Sequence, residues 1–256
     1  MAQKLIFVLI DGLRLDTAMS CLGYVQAETA AAGRACLPVR SELPSLSRPL
    51  YETLMTGVPP VRSGITSNAI VRRSHHPSVF DRCRAAGKVT AAAAYHWYSE
   101  LYNQAPFEPA HRITHNEAAA IQHGTFYWRD DYPDDHLFAD AEALRSAYDP
   151  DFLLLHPMAT DNAGHLYGGN APEYRAAARR ADDLLARHMP GWLASEHIVI
   201  VTSDHGMSDD RMHGGPDDRE TLVPFWQFGG PPPPVNALAQ TEIAGLLCAL
   251  MGLAPI

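Results

Sequence analysis

The chain has 256 residues and 46% apolar side chains, enough for one sizeable core, so one domain spanning 1–256 is the simplest reading. A formal net charge of -9 argues against a basic face that holds nucleic acid by its backbone, but leaves room for a small anionic substrate, because a metal site sets its own local charge. The four cysteines, Cys21, Cys36, Cys83 and Cys248, form no C-x-x-C pair, which disfavours a zinc knuckle or a disulfide framework and reads as four reduced thiols.

The first element is the apolar run 5–10, too short for a signal h-region or a membrane span and bounded like a buried strand. No other run approaches a span, so the expectation is a cytoplasmic protein without a membrane partner. Residues 48–56 read as a helix, with Pro49 in the first turn, Gly57 at the end and Ser47 as N-cap. Residues 89–95 read as a second strand, although the run of alanines also suits a helix. Segment 96–149 is rich in Trp, Tyr, His and Asp and has no clear period. It is expected as a small insertion over the sheet edge, near the site.

Further strands are expected at 152–156 and 197–202. A helix over 173–188 carries Tyr174, Ala177, Ala181, Leu184 and Leu185 at helical spacing, and another over 241–251 ends at Gly252. The proline run 231–234 reads as a stiff surface connector. Strands alternating with helices predict an α/β fold, a mostly parallel central sheet with helices on both faces.

In such a sheet, catalytic groups collect beyond the carboxyl ends of the strands. Three predicted strands end in metal-ligand residue types: Asp11 after the first, Asp161 and His165 after the third, Asp204 and His205 after the fourth. His213 follows, flanked by Gly214. Carboxylate oxygen and imidazole nitrogen suit zinc or manganese. Asp161 and His165 lie one helical turn apart, and Gly206 permits a bend beside Asp204 and His205. With 13 histidines in the chain, His156 is a rival ligand, but His75-His76 and the His111/His115 pair lack carboxylate partners. The acidic run 130–135 reads as a solvated loop, and the aromatic clusters around Trp97 and Trp128 as core or as a stacking surface. Ser47, at a helix N-terminus that favours an anion, is the candidate nucleophile, with Ser45 as its rival.

Taken in order, the segments 11–14, 44–57, 63–68, 160–165, 202–213, 221–228 and 240–255 resemble the alkaline phosphatase superfamily, closest to its type I phosphodiesterase/nucleotide pyrophosphatase branch, with a reduced cap. The resemblance implies two divalent metal ions, usually zinc and sometimes manganese. One would be held by Asp161, His165 and His213, the other by Asp11, Asp204, His205 and Ser47. Ser47 would form a phospho-serine intermediate, and Asn68 would hydrogen-bond a phosphoryl oxygen of a small phosphate ester. Tyr51 stands where the sulfatase signature needs arginine.

Two alternatives stay open. One is a phosphomonoesterase or phosphonate hydrolase, for which Arg14, Arg48 or Arg72 would supply an extra cation. The other is a non-catalytic metal-binding accessory protein.

Overall fold

The computed structural model describes residues 3–233 and 237–256. Among the described residues, nine strands form one sheet: β1 (Leu5–Leu9), β2 (Leu37–Arg40), β3 (Thr90–Tyr95), β4 (Ile113–His115), β5 (His123–Tyr127), β6 (Phe152–Leu155), β7 (Ile198–Thr202), β8 (Leu222–Phe228) and β9 (Leu238–Ala239). Their order is β4-β5-β3-β6-β1-β7-β8-β2-β9. The middle five, β5-β3-β6-β1-β7, run parallel, whereas β4, β8 and β2 each meet a neighbour antiparallel. This is the expected mostly parallel α/β sheet.

The helices are α1 (Leu15–Cys21), α2 (Gly23–Ala31), α3 (Ser47–Thr56), α4 (Pro60–Ser63), α5 (Val79–Ala85), α6 (Trp97–Tyr102), α7 (Asp134–Tyr148), α8 (Ala159–Tyr167), α9 (Pro172–Ala194), α10 (Asp218–Thr221) and α11 (Ile243–Leu250). They cover both faces of the sheet, and β1 shows how. Leu5, Phe7 and Leu9 pack with Leu54 of α3, Phe80 of α5 and Leu247 of α11. Ile6 and Val8 pack with Ala18 of α1, Leu137 of α7 and Leu185 of α9. A strand apolar on both faces needs a helix layer on each side.

The four expected strands are present, each within a residue or two of the expected bounds. Differences lie elsewhere. Ser47 is the first helical residue of α3 and Leu46 is the N-cap, without a side-chain cap hydrogen bond. The helix expected over 173–188 runs on through Pro190 to Ala194.

Segment 96–149 does not lie over the sheet edge as an insertion. It supplies β4 and β5, the last two strands on that side, and α7, which packs on β3, β5 and β6. The acidic run within it opens α7, and Asp134 is buried. Of the proline run, Pro234 lies outside the described residues. Among the described residues, no helix is long and apolar enough to cross a membrane.

Candidate metal centre and nucleophile

The parallel strands aim their carboxyl ends at one place. Asp11 follows β1, Asp161 sits in the first turn of α8 after β6, and Asp204 and His205 follow β7. All four are buried. Close approach of the loops needs glycine. Gly12 has φ 67°, and a Cβ there would lie 2.8 Å from Asp161 Oδ1. At Gly206 the reason differs from the bend expected: a Cβ would lie 2.0 Å from the Arg219 carbonyl oxygen, so it is the neighbouring backbone that excludes a side chain.

Two ligand groups form, Asp11–Asp204–His205 and Asp161–His205–His213, each with donor atoms within 4.8 Å of one another. His205 is common to both, whereas the sequence-based partition gave it to one. His165 stands at the rim, 40% exposed, with Nε2 3.5 Å from Asp161 Oδ2 and 3.2 Å from His213 Nε2.

Three imidazoles point the same nitrogen inward. His205 Nδ1 donates to the Gly206 carbonyl (2.8 Å), His213 Nδ1 to that of Ser45 (2.8 Å) and His165 Nδ1 to that of Arg211 (2.9 Å). With Nδ1 as the donor, the neutral form of each ring turns a bare Nε2 to the centre, the tautomer that a metal ligand needs. Burial lowers the pKa of His205, and burial above all pushes His213 down to about 3.

The carboxylates match. Asp11 Oδ1, Asp161 Oδ1 and Asp204 Oδ2 are buried with no hydrogen-bond partner. Burial, then the neighbouring carboxylates, push Asp161 and Asp204 well above the usual range. Burial also acts on Asp11, but the His156 hydrogen bond and the nearby His205 outweigh it and hold Asp11 down to about 2. Orphaned acceptor oxygens facing bare imidazole nitrogens fit divalent cations: each buried acceptor without a partner costs on the order of 1–3 kcal/mol, and a cation would satisfy several at once.

Ser47 Oγ lies 3.0 Å from His205 Nε2, inside this cluster. Ser45, the rival, is committed elsewhere. Its hydroxyl donates to the Gly215 carbonyl (2.8 Å) and accepts from the Gly214 N–H (3.0 Å), fixing the loop that carries His213. His156 is behind the ligands: its Nε2 is 3.0 Å from Asp11 Oδ2, the oxygen that also accepts from the Tyr51 hydroxyl. Tyr51 was singled out only as the residue that departs from the sulfatase pattern, and it is a support of Asp11. Asn68 accepts the Arg48 N–H through Oδ1 at 3.0 Å, which leaves its NH2 as a donor at the start of α3. That bond uses the Arg48 amide, and Pro49 has none, which leaves fewer free N–H groups at this helix end than expected.

A family model described as Type I phosphodiesterase / nucleotide pyrophosphatase matches residues 5–216. The chain belongs to this family. Among curated relatives, the human GPI ethanolamine phosphate transferase 2, catalytic subunit, is 23% identical over 98% of this chain and 26% of its own length. Human GPI ethanolamine phosphate transferase 3, catalytic subunit, is 21% identical over 98% of this chain and 24% of its own. The chain thus spans about a quarter of the length of these relatives. Among solved structures, murine ectonucleotide pyrophosphatase / phosphodiesterase 5 superposes with a TM-score of 0.74 at 15% identity, over 99% of this chain and 96% of that one. The human protein of the same name gives 0.73 at 14% identity with the same coverage. At such identities the solved structures establish the fold alone. Family and relatives together support an enzyme that acts on phosphoesters.

Proposed function

We propose that the chain cleaves phosphate diesters with two divalent metal ions, Ser47 being the nucleophile. The observation that carries the reading is the convergence of three partnerless carboxylate oxygens and the Nε2 atoms of three histidines in one cluster, with the Ser47 hydroxyl against His205 Nε2. Asp11, Asp204, His205 and Ser47 would hold one ion, and Asp161, His165 and His213 the other. Bound there, zinc or manganese would act as Lewis acids, lowering the pKa of the serine hydroxyl and neutralising charge on the phosphoryl group.

Ser47 Oγ attacks phosphorus, the leaving alcohol departs, and phospho-Ser47 forms. An incoming hydroxyl then takes the phosphoryl group and regenerates the serine. The Asn68 NH2 hydrogen-bonds a non-bridging oxygen, where transition-state charge is spread.

Two of the three candidate arginines support a diester over a monoester. A monoester dianion calls for an uncompensated cation, yet Arg14 pairs with Asp16 and Asp209 and Arg48 pairs with Glu100, while Arg72, which has only the Ser63 and Arg73 carbonyls as partners, keeps its charge. Similarity along nearly the whole chain to ethanolamine phosphate transferases favours a second reading, in which an alcohol rather than water accepts the phosphoryl group. The two share every step up to phospho-Ser47.

The test combines elemental analysis of the purified chain with turnover of bis(p-nitrophenyl) phosphate against p-nitrophenyl phosphate, with and without an added alcohol. Two metals per chain and faster diester cleavage support the proposal, and acceleration by alcohol with a new ester as product supports transfer. Faster monoester cleavage would move the reading to a phosphomonoesterase. A metal-loaded, folded chain without turnover on any phosphate ester would point to an accessory protein.

A further inference from the structure

Arg48 follows the nucleophile and is 1% exposed. Its guanidinium lies 4.6 Å from the centre of the Trp97 ring. Nη2 meets Glu100 Oε2 at 2.6 Å, and Nε donates to the Asn68 carbonyl oxygen at 2.9 Å. The Arg48 N–H donates to Asn68 Oδ1. One residue therefore grips Asn68 at both of its oxygens, and Glu100 grips that residue. Glu100 is itself fixed, since Oε1 accepts the Phe107 N–H at 2.9 Å.

A buried ion pair is a poor source of stability, because desolvation offsets the attraction and an apolar pair of similar volume serves as well. What a buried pair does supply is one fixed geometry. Here that geometry turns the Asn68 Oδ1 toward α3 and leaves the NH2 as a donor at the start of that helix, where Ser47 is the first residue. We infer that Glu100 is a positioning residue for phosphoryl recognition, acting through Arg48 on Asn68. The inference rests on the diester reading above and adds a function for α6, a helix that bears no candidate ligand.

A double-mutant cycle tests it. Glu100→Gln keeps the volume and removes the charge. It is expected to lower kcat by roughly ten- to a hundredfold with KM little changed, because misplacing a group by about an ångström costs on this order. In an Asn68→Ala background the same change is expected to cost almost nothing further, because its route is gone. If Glu100→Gln does not fold, the pair replacement Arg48→Met with Glu100→Leu takes its place and is expected to show the same non-additivity. Metal content is followed throughout and is expected to stay near wild type for the folded variants, while the melting temperature is expected to fall for Glu100→Gln, which leaves the buried Arg48 charge unpaired, and to stay near wild type for the pair replacement. Additive losses in the two backgrounds, or an Asn68→Ala variant with wild-type turnover, would overturn the positioning role while leaving wild-type diester cleavage intact. Absence of wild-type turnover would instead strike the functional reading, and the positioning role with it.

Discussion

His165 and His213 face each other through bare nitrogens, Nε2 to Nε2 at 3.2 Å, with both Nδ1–H groups already engaged by backbone carbonyls. Two lone pairs at that distance repel unless a proton or a metal cation lies between them. Asp161 and Asp204 sit beside them with raised pKa values, so the metal-free chain takes up protons there that bound metal would displace. The sign follows. A carboxyl group raised in the fold adds stability below its unfolded pKa and loses it as pH rises through the folded value. The metal-free chain should therefore weaken toward alkaline pH, while metal binding strengthens. Chelation at pH 8 is expected to lower the melting temperature by roughly 5–10 °C, and by less at pH 5.5. Scanning calorimetry with and without chelator, and then with zinc restored, checks this. A gap that narrows as pH rises would refute it.

The two serines should separate cleanly. Ser47→Ala is expected to retain metal and to lose turnover by at least about a thousandfold. Ser45→Ala removes the hydroxyl that ties Gly214 to Gly215 and leaves the nucleophile in place. Its expected signature is weaker retention of the ion held by His213, with turnover restored by excess zinc. Metal titration alongside the diester assay distinguishes them. Zinc rescue of Ser47→Ala would assign the nucleophile wrongly.

Much of this is legible in the sequence. Runs such as 5–10 and 197–202 are apolar at every position because both faces of the parallel sheet are covered, and Asp or His at their ends stands out by contrast. The antiparallel partners β8 and β2 were hidden for an equally physical reason. β2 and β8 pair with Pro38 opposite Pro224, and a proline without an N–H makes each run read as something other than a strand. Ser47, Asp204 and their companions are visible because ligand chemistry restricts residue type. Tyr51, Glu100 and the true place of His156 are not, since each acts through a contact across many residues of chain, and tyrosine or glutamate in a helix carries no such restriction.

Tyr51 and His156 share one oxygen of Asp11, which leaves the other oxygen turned to the ligand cluster. Removing the hydroxyl should loosen the carboxylate without emptying the core, because Tyr51 also stacks on Tyr98 with ring centres 4.6 Å apart. Tyr51→Phe is therefore expected to weaken metal affinity by roughly 10- to 100-fold with a nearly unchanged melting temperature in the metal-free state. Competition with a chromophoric chelator measures the affinity. An unchanged affinity would mean that His156 alone orients Asp11.

Asp134 gives a prediction independent of metal. It lies where α7 begins and accepts the Ala159 N–H at the start of α8 through Oδ1 at 3.2 Å, while Oδ2 is buried without a partner. Burial, only partly offset by backbone amides, raises it from the ordinary 3.8 to about 6. Its contribution to stability is thus full below pH 4 and lost as pH rises through 6. Above pH 7 the ionised group costs on the order of 3 kcal/mol relative to its protonated form. Asp134→Asn keeps an acceptor for Ala159 and removes the charge. The variant should melt above wild type at pH 8, by several degrees, and the advantage should vanish near pH 4. Denaturant unfolding at the two pH values decides it. A variant less stable than wild type at pH 8 would mean that the anion at the start of α8 stabilises that helix by more than its burial costs, so that Asp134 serves as a charged cap for the helix that carries Asp161 and His165.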